Sequence, residues 1–64
     1  METIKGFKDL LVNLKAYGKI YTYDRSIWWQ GVIDGFLYSK NITTEEASIL
    51  LKQLHKQLNF KEAN

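Results

Sequence analysis

Acid–base chemistry in this 64-residue chain would be sought first among Asp24, Asp34, Glu45, Glu46 and His55. General acid–base catalysis needs such groups to converge in a cleft. Their spacing does not bring them together. Asp24 and Asp34 stand apart along one segment, and Glu45 and Glu46 fall where a helix start would use them. His55 lies at the margin of an apolar helical stripe, the ordinary place of a boundary histidine. Cysteine is absent, which excludes disulfides, thiolate metal sites and a cysteine nucleophile. A single histidine without partners at ligand spacing makes no zinc site. No glycine-rich phosphate loop follows a strand, because Gly31 and Gly35 fall inside a helix. These residue types point away from an enzyme, and neither a cofactor nor a metal is expected. What stands out instead is the run Ser26–Gly35, SIWWQGVIDG, where two adjacent tryptophans lie beside Gly31 and Gly35.

The elements that must position these residues are three helices, about 3–17, 25–40 and 44–59. In the first, Ile4, Phe7, Leu10, Leu11, Leu14 and Tyr17 recur at the spacing of one helical face. Thr3 is its expected N-cap, and Gly18 its left-handed stop. The segment 19–23, KIYTY, reads as an extended aromatic connector. The alternative is a strand that pairs with a second copy across a dimer axis. The second helix is expected to start from Asp24 or Ser26, with Asn41 as the residue that tolerates a left-handed turn after it. The third has the strongest start signal: Thr43 with Glu46 three residues on forms a capping box, and Ala47, Leu50, Leu51, Leu54 and Leu58 make its stripe. The fold class is therefore an all-α three-helix domain over 1–64, and residues 61–64 are expected to fray.

A chain this short buries only about 60% of its unfolded surface, so dense aromatic packing, self-association or a bound partner must add stability. The net charge of +2 gives only mild steering toward nucleic acid. Lys5, Lys8, Lys15 and Lys19 read as a solvated face, without the arginine cluster of a dedicated binder. The chain starts with Met and shows no charged-then-apolar leader, and its apolar runs are too short to span a bilayer. The expectation is a full-length cytoplasmic protein without membrane contact.

Adjacent residues on a helix diverge by about 100°. Trp29, Val32, Ile33 and Phe36, with Leu37 at the edge, fall on one face of the second helix and are its expected core face. Ile27, Trp28, Gly31, Gly35 and Tyr38 form a second apolar band. As the middle element, this helix can be sandwiched between the other two, with Trp28 in a crevice and Gly31 and Gly35 permitting close helix approach. The competing reading is a surface that meets another molecule, formed by Ile27, Trp28, Tyr38 and the connector tyrosines Tyr21 and Tyr23, with Lys19 and Arg25 at its rim. Trp and Tyr are the types most enriched at binding hot spots.

Trp28 or Trp29 with Gly31, Asp34, Ile42, Thr43, Glu45 and Glu46 spells aromatic-x-G-x-x-D followed by I-T-x-E-E. This resembles a helical hairpin of small phage and prophage accessory proteins of Gram-positive bacteria, including anti-defence and anti-CRISPR types. The resemblance implies stoichiometric binding that inhibits a host protein in the host cytoplasm; self-association into a homo-oligomer through the same surface is expected because small domains gain stability that way. Two alternatives stay open: a helix-turn-helix DNA-binding regulator built from the second and third helices, and an oligomeric sponge for nucleotides. Against the first, Glu45 and Glu46 would meet phosphate at the start of the recognition helix.

Overall fold

Two amphipathic helices and one that is apolar on two sides have to find a common arrangement, and in the computed structural model, which describes residues 5–60, they form an all-α domain. The helices are α1, Phe7–Tyr17; α2, Tyr23–Tyr38; and α3, Thr44–Gln57. Leu10, Leu14, Ile20, Trp29, Ile33, Ile42, Ala47, Leu50 and Leu54 make the core, and Phe7, Leu11, Val32, Phe36, Leu37, Leu51 and Leu58 pack around it.

The central helix is α3. It packs against both α1 and α2, whose backbones do not approach each other. This corrects the expectation that α2 is sandwiched between its neighbours. Helical periodicity tells which side of α2 is apolar but not which helix the side will meet. One stripe of α3, carrying Ala47, Leu50 and Leu54, serves both partners. The second apolar band of α2 is therefore left without a helix to cover it.

Local chemistry explains the boundaries. Gly6, in extended backbone, precedes α1, and the Asp9 carboxylate accepts from the Lys5 backbone N–H at 3.2 Å. The expected cap Thr3 lies outside the described residues, as does the segment 61–64. Gly18 ends α1 at φ +81°, as its position suggested. The start of α2 lies earlier than Asp24 or Ser26. Thr22 is the N-cap, its hydroxyl accepting from the Arg25 N–H at 3.2 Å, so Tyr23 belongs to the helix rather than to the connector. Asp24 then lies in the first turn, where a carboxylate favours the helix dipole. Ser26, instead of capping, is buried and donates its hydroxyl to the Tyr23 carbonyl at 2.9 Å.

At the other end of α2 the left-handed residue is Lys40, at φ +64°, and not Asn41. The Asn41 N–H donates to the Phe36 carbonyl at 2.9 Å and the Lys40 N–H to Leu37 at 3.0 Å. That pair of bonds is the Schellman closure, whose geometry puts the left-handed backbone one residue before Asn41. Asn41 contributes its side-chain amide, which donates to Ser39 Oγ at 2.7 Å. The capping box of α3 forms as expected: Thr43 Oγ1 accepts from the Glu46 N–H at 3.1 Å, and Glu46 Oε1 from the Thr43 N–H at 2.9 Å.

The connector is tied down within the chain. Ile20 is fully buried, its N–H donating to the Gln57 carbonyl at 2.8 Å and its carbonyl accepting from the Asn59 N–H at 2.9 Å. This single parallel bridge between Ile20 and Leu58 uses the hydrogen-bonding groups of Ile20 that a strand from a second copy would need. It also ends α3 at Gln57 rather than 59, since Leu58 turns extended to make it. The Gln57 side chain adds a second tie. Its Nε2 donates to the carbonyls of Leu14 at 2.7 Å and Gly18 at 2.6 Å, joining the end of α1 to the end of α3.

Candidate protein-contact surface

The two tryptophans answer to different surroundings, and the helical turn between them is the reason. Trp29 is 4% exposed and Trp28 51% exposed. Trp28 lies in no crevice against α1 or α3. Its ring instead stands edge-on to Trp29, with centroids 5.1 Å apart at 90°. Trp29 in turn meets Tyr17 at 5.8 Å and 71°. Arg25 closes the group from outside, its guanidinium carbon 5.3 Å from the Trp28 ring centre and 5.8 Å from that of Tyr17. An edge-to-face ring pair contributes about 0.5–1.5 kcal/mol beyond its buried area. An exposed cation–ring contact contributes about 0.5–1 kcal/mol. Together they hold Trp28 in one position on the surface, which lowers the entropy that a partner would have to remove.

The remaining candidates divide between two regions. Lys19 and Tyr21 on the connector and Tyr23 at the start of α2 are exposed beside Arg25 in sequence, and the Tyr23 ring stands edge-on to Phe60 at 6.4 Å. Ile27 and Tyr38 lie on the outer side of α2 with Trp28, and Tyr38 is 85% exposed. Ten residues of helix separate Trp28 from Tyr38, about 15 Å along the axis. Gly31 and Gly35 lie between them, both exposed, and a Cβ built on either meets nothing within 4 Å. The close helix approach expected at these glycines is not made among the described residues, since α2 packs on α3 while burying Trp29 and Ile33 and leaving both glycines exposed.

Sequence reasoning missed Tyr17 and Phe60. Tyr17 continues the α1 stripe, but it is the last residue of that helix and is about half exposed. Its signal was position: a stripe residue next to the Gly18 stop can lie past the end of the packing. Phe60 had no periodic signal, since it follows the helix that would have framed it.

Two of the acidic groups have local duties. Asp9 and Glu46 help to line a shallow depression with Lys5, Gly6, Phe7 and Lys8, and both accept backbone N–H bonds at helix starts. Among the described residues no three His, Cys, Asp or Glu side chains gather as a metal site would require. Among them, too, no helix is long and apolar enough to cross a membrane. The exposed residues of this region present aromatic rings, one guanidinium and a glycine-floored helix face. Comparison with protein-family models, with curated proteins and with solved structures finds no match for this chain.

Proposed function

We propose that this protein acts by stoichiometric binding rather than by catalysis, as a phage- or prophage-type accessory protein that inhibits a host protein in the cytoplasm and also self-associates. The observation that supports this best is the aromatic surface itself. A 64-residue chain has few large apolar residues to give away, yet Tyr21, Tyr23, Ile27, Trp28 and Tyr38 are all exposed. A cluster of such residues marks a contact site more often than a scattered exposed Leu would. The connector end, with Tyr21, Tyr23, Lys19 and Arg25, is the part assigned to the host protein, its two cations suiting an acidic partner. The DNA-binding alternative asks α3 to enter a groove, and the first turn of α3 carries Glu45 and Glu46, which would oppose phosphate there.

The test is capture from a bacterial lysate by the purified chain and by its Tyr21→Ala/Tyr23→Ala variant. Both tyrosines are exposed, so the variant should stay folded and lose about 0.5–1.5 kcal/mol, chiefly the Tyr23–Phe60 ring pair. The parent is expected to retain one protein in stoichiometric amount and the variant to lose it. Equal retention by both, or retention of nucleic acid alone, would contradict the reading.

A further inference from the structure

We infer that an extended acidic segment of the partner protein adds as a strand along the 19–21 edge of the connector, with one of its carboxylates on Arg25. The inference rests on reading this end as a protein contact, and it names the chemistry of the occupant. Two observations carry it independently. The first is the backbone. Successive residues of an extended chain turn their N–H and C=O groups to opposite edges. Ile20 spends both of its groups inward, on the Gln57 carbonyl at 2.8 Å and the Asn59 N–H at 2.9 Å. Lys19 and Tyr21 therefore turn theirs to the other edge. Among the described residues no backbone group pairs with them there, and both residues are exposed. The bridge to Leu58 thus closes only the Ile20 side of the connector. An open edge is a template for another strand. An extended peptide that uses it takes affinity from main-chain bonds and specificity from alternate side chains.

The second observation is Arg25, the only arginine in the chain. Two rings hold its guanidinium, 5.3 Å from the Trp28 centre and 5.8 Å from that of Tyr17, and among the described residues no carboxylate takes its N–H donors. A guanidinium steadied by rings takes a carboxylate in two parallel bonds. Charge then selects the kind of segment. Residues 15–25 set Lys15, Lys19 and Arg25 against Asp24 alone, three cations less one acid, a formal +2. That equals the net charge of the whole chain. Lys15 lies in the last turn of α1 and Asp24 in the first turn of α2, each offsetting the dipole of its own helix. Lys19 and Arg25 remain, at the open edge and just beyond it in sequence. An acidic strand suits both, and a basic one is repelled.

Amide hydrogen exchange of the isotope-labelled full chain, read residue by residue by NMR, tests the pairing. The probe is a short blocked peptide alternating valine and glutamate, run beside its valine–lysine counterpart and an oligothymidine strand. In the free chain the Lys19 and Tyr21 amides should exchange quickly. Saturating acidic peptide should slow both about ten-fold or more, while the Ile20 amide, already bonded, changes little. Contact through side chains alone would leave the two amides fast. Arg25→Lys keeps the charge and loses the paired bonds, so it should weaken the acidic peptide about ten-fold. No slowing at millimolar acidic peptide overturns the inference, and so does binding indifferent to Arg25→Lys. Equal binding of the basic peptide overturns it, as does slowing by oligothymidine in preference, which would make the edge a nucleic-acid contact. A chain that captures a host protein while the Lys19 and Tyr21 amides stay fast overturns it too and leaves the proposed function standing. Slowing as described in a chain that captures nothing supports the inference and counts against host inhibition.

Discussion

Trp29→Ala leaves the chain unfolded or nearly so at room temperature, while Trp28→Ala leaves it helical. Trp29 is almost wholly buried, with the Tyr17 and Trp28 rings each in T-shaped contact with it. Truncating a buried tryptophan costs about 3–5 kcal/mol. Natural domains have about 0.05–0.15 kcal/mol of stability per residue, which for 64 residues is about 3–10 kcal/mol in all. The loss is therefore comparable with the whole stability of the domain. Far-UV circular dichroism of the two variants at one temperature reads the difference directly. Trp29→Phe should cost much less than Trp29→Ala. Its ring fills most of the site, and it removes the Trp29 Nε1–H, which is buried with no acceptor among the described residues. An unpaired buried donor costs about 1–3 kcal/mol, a burden that phenylalanine does not carry.

The second large effect is at Gln57, where a change of one atom type suffices. Its amide is fully engaged: Nε2 donates to the Leu14 and Gly18 carbonyls, and Oε1 accepts from Gln53 Nε2 at 2.7 Å. Gln57→Glu keeps the shape and removes both donors, so a carboxylate then faces two carbonyl oxygens. Loss of the two bonds and the added repulsion should cost about 2–3 kcal/mol or more. The sign of its pH dependence follows. Facing those carbonyls, the introduced carboxyl has a folded pKa above its unfolded value, so the fold favours the protonated form, which recovers one donor. Relative to the parent, the variant should lose least at acidic pH and most once pH has risen through that folded pKa. Urea unfolding of parent and variant across acidic to neutral pH measures it. A variant as stable as the parent at neutral pH would show that the tie between α1 and α3 contributes little.

These two residues also mark where sequence reasoning holds and where it stops. The opposite fates of Trp28 and Trp29 are legible because they depend only on the rotation between neighbours in one helix. The capping box at Thr43 and Glu46 and the stop at Gly18 are legible for the same reason, each being settled within a few residues. Gln57 was not legible, since its partners lie 43 and 39 residues away and no local pattern announces them. The Ile20–Leu58 bridge is equally non-local. The centrality of α3 was missed because periodicity identifies apolar stripes without pairing them. The shifted ends of α2 have a different cause. Thr22, Asp24 and Ser26 are all good N-caps, and the choice among them depends on where buried Ile20 delivers the chain. At the site, exposure of the α2 band was one of two readings left open. The Arg25 bracket between Tyr17 and Trp28 needed the meeting of α1 and α2 to become visible.

The central claim is that α2 keeps the fold with one side and offers the other for contact. Acrylamide quenching of the two single-tryptophan variants, Trp29→Phe and Trp28→Phe, tests it most directly in dilute solution. Trp28, the fluorophore left in Trp29→Phe, should emit at long wavelength and be quenched readily. Trp29, left in Trp28→Phe, should emit further to the blue and resist the quencher. Equal protection of the two rings, or the reverse order, would contradict the division of α2 into a folding face and a contact face.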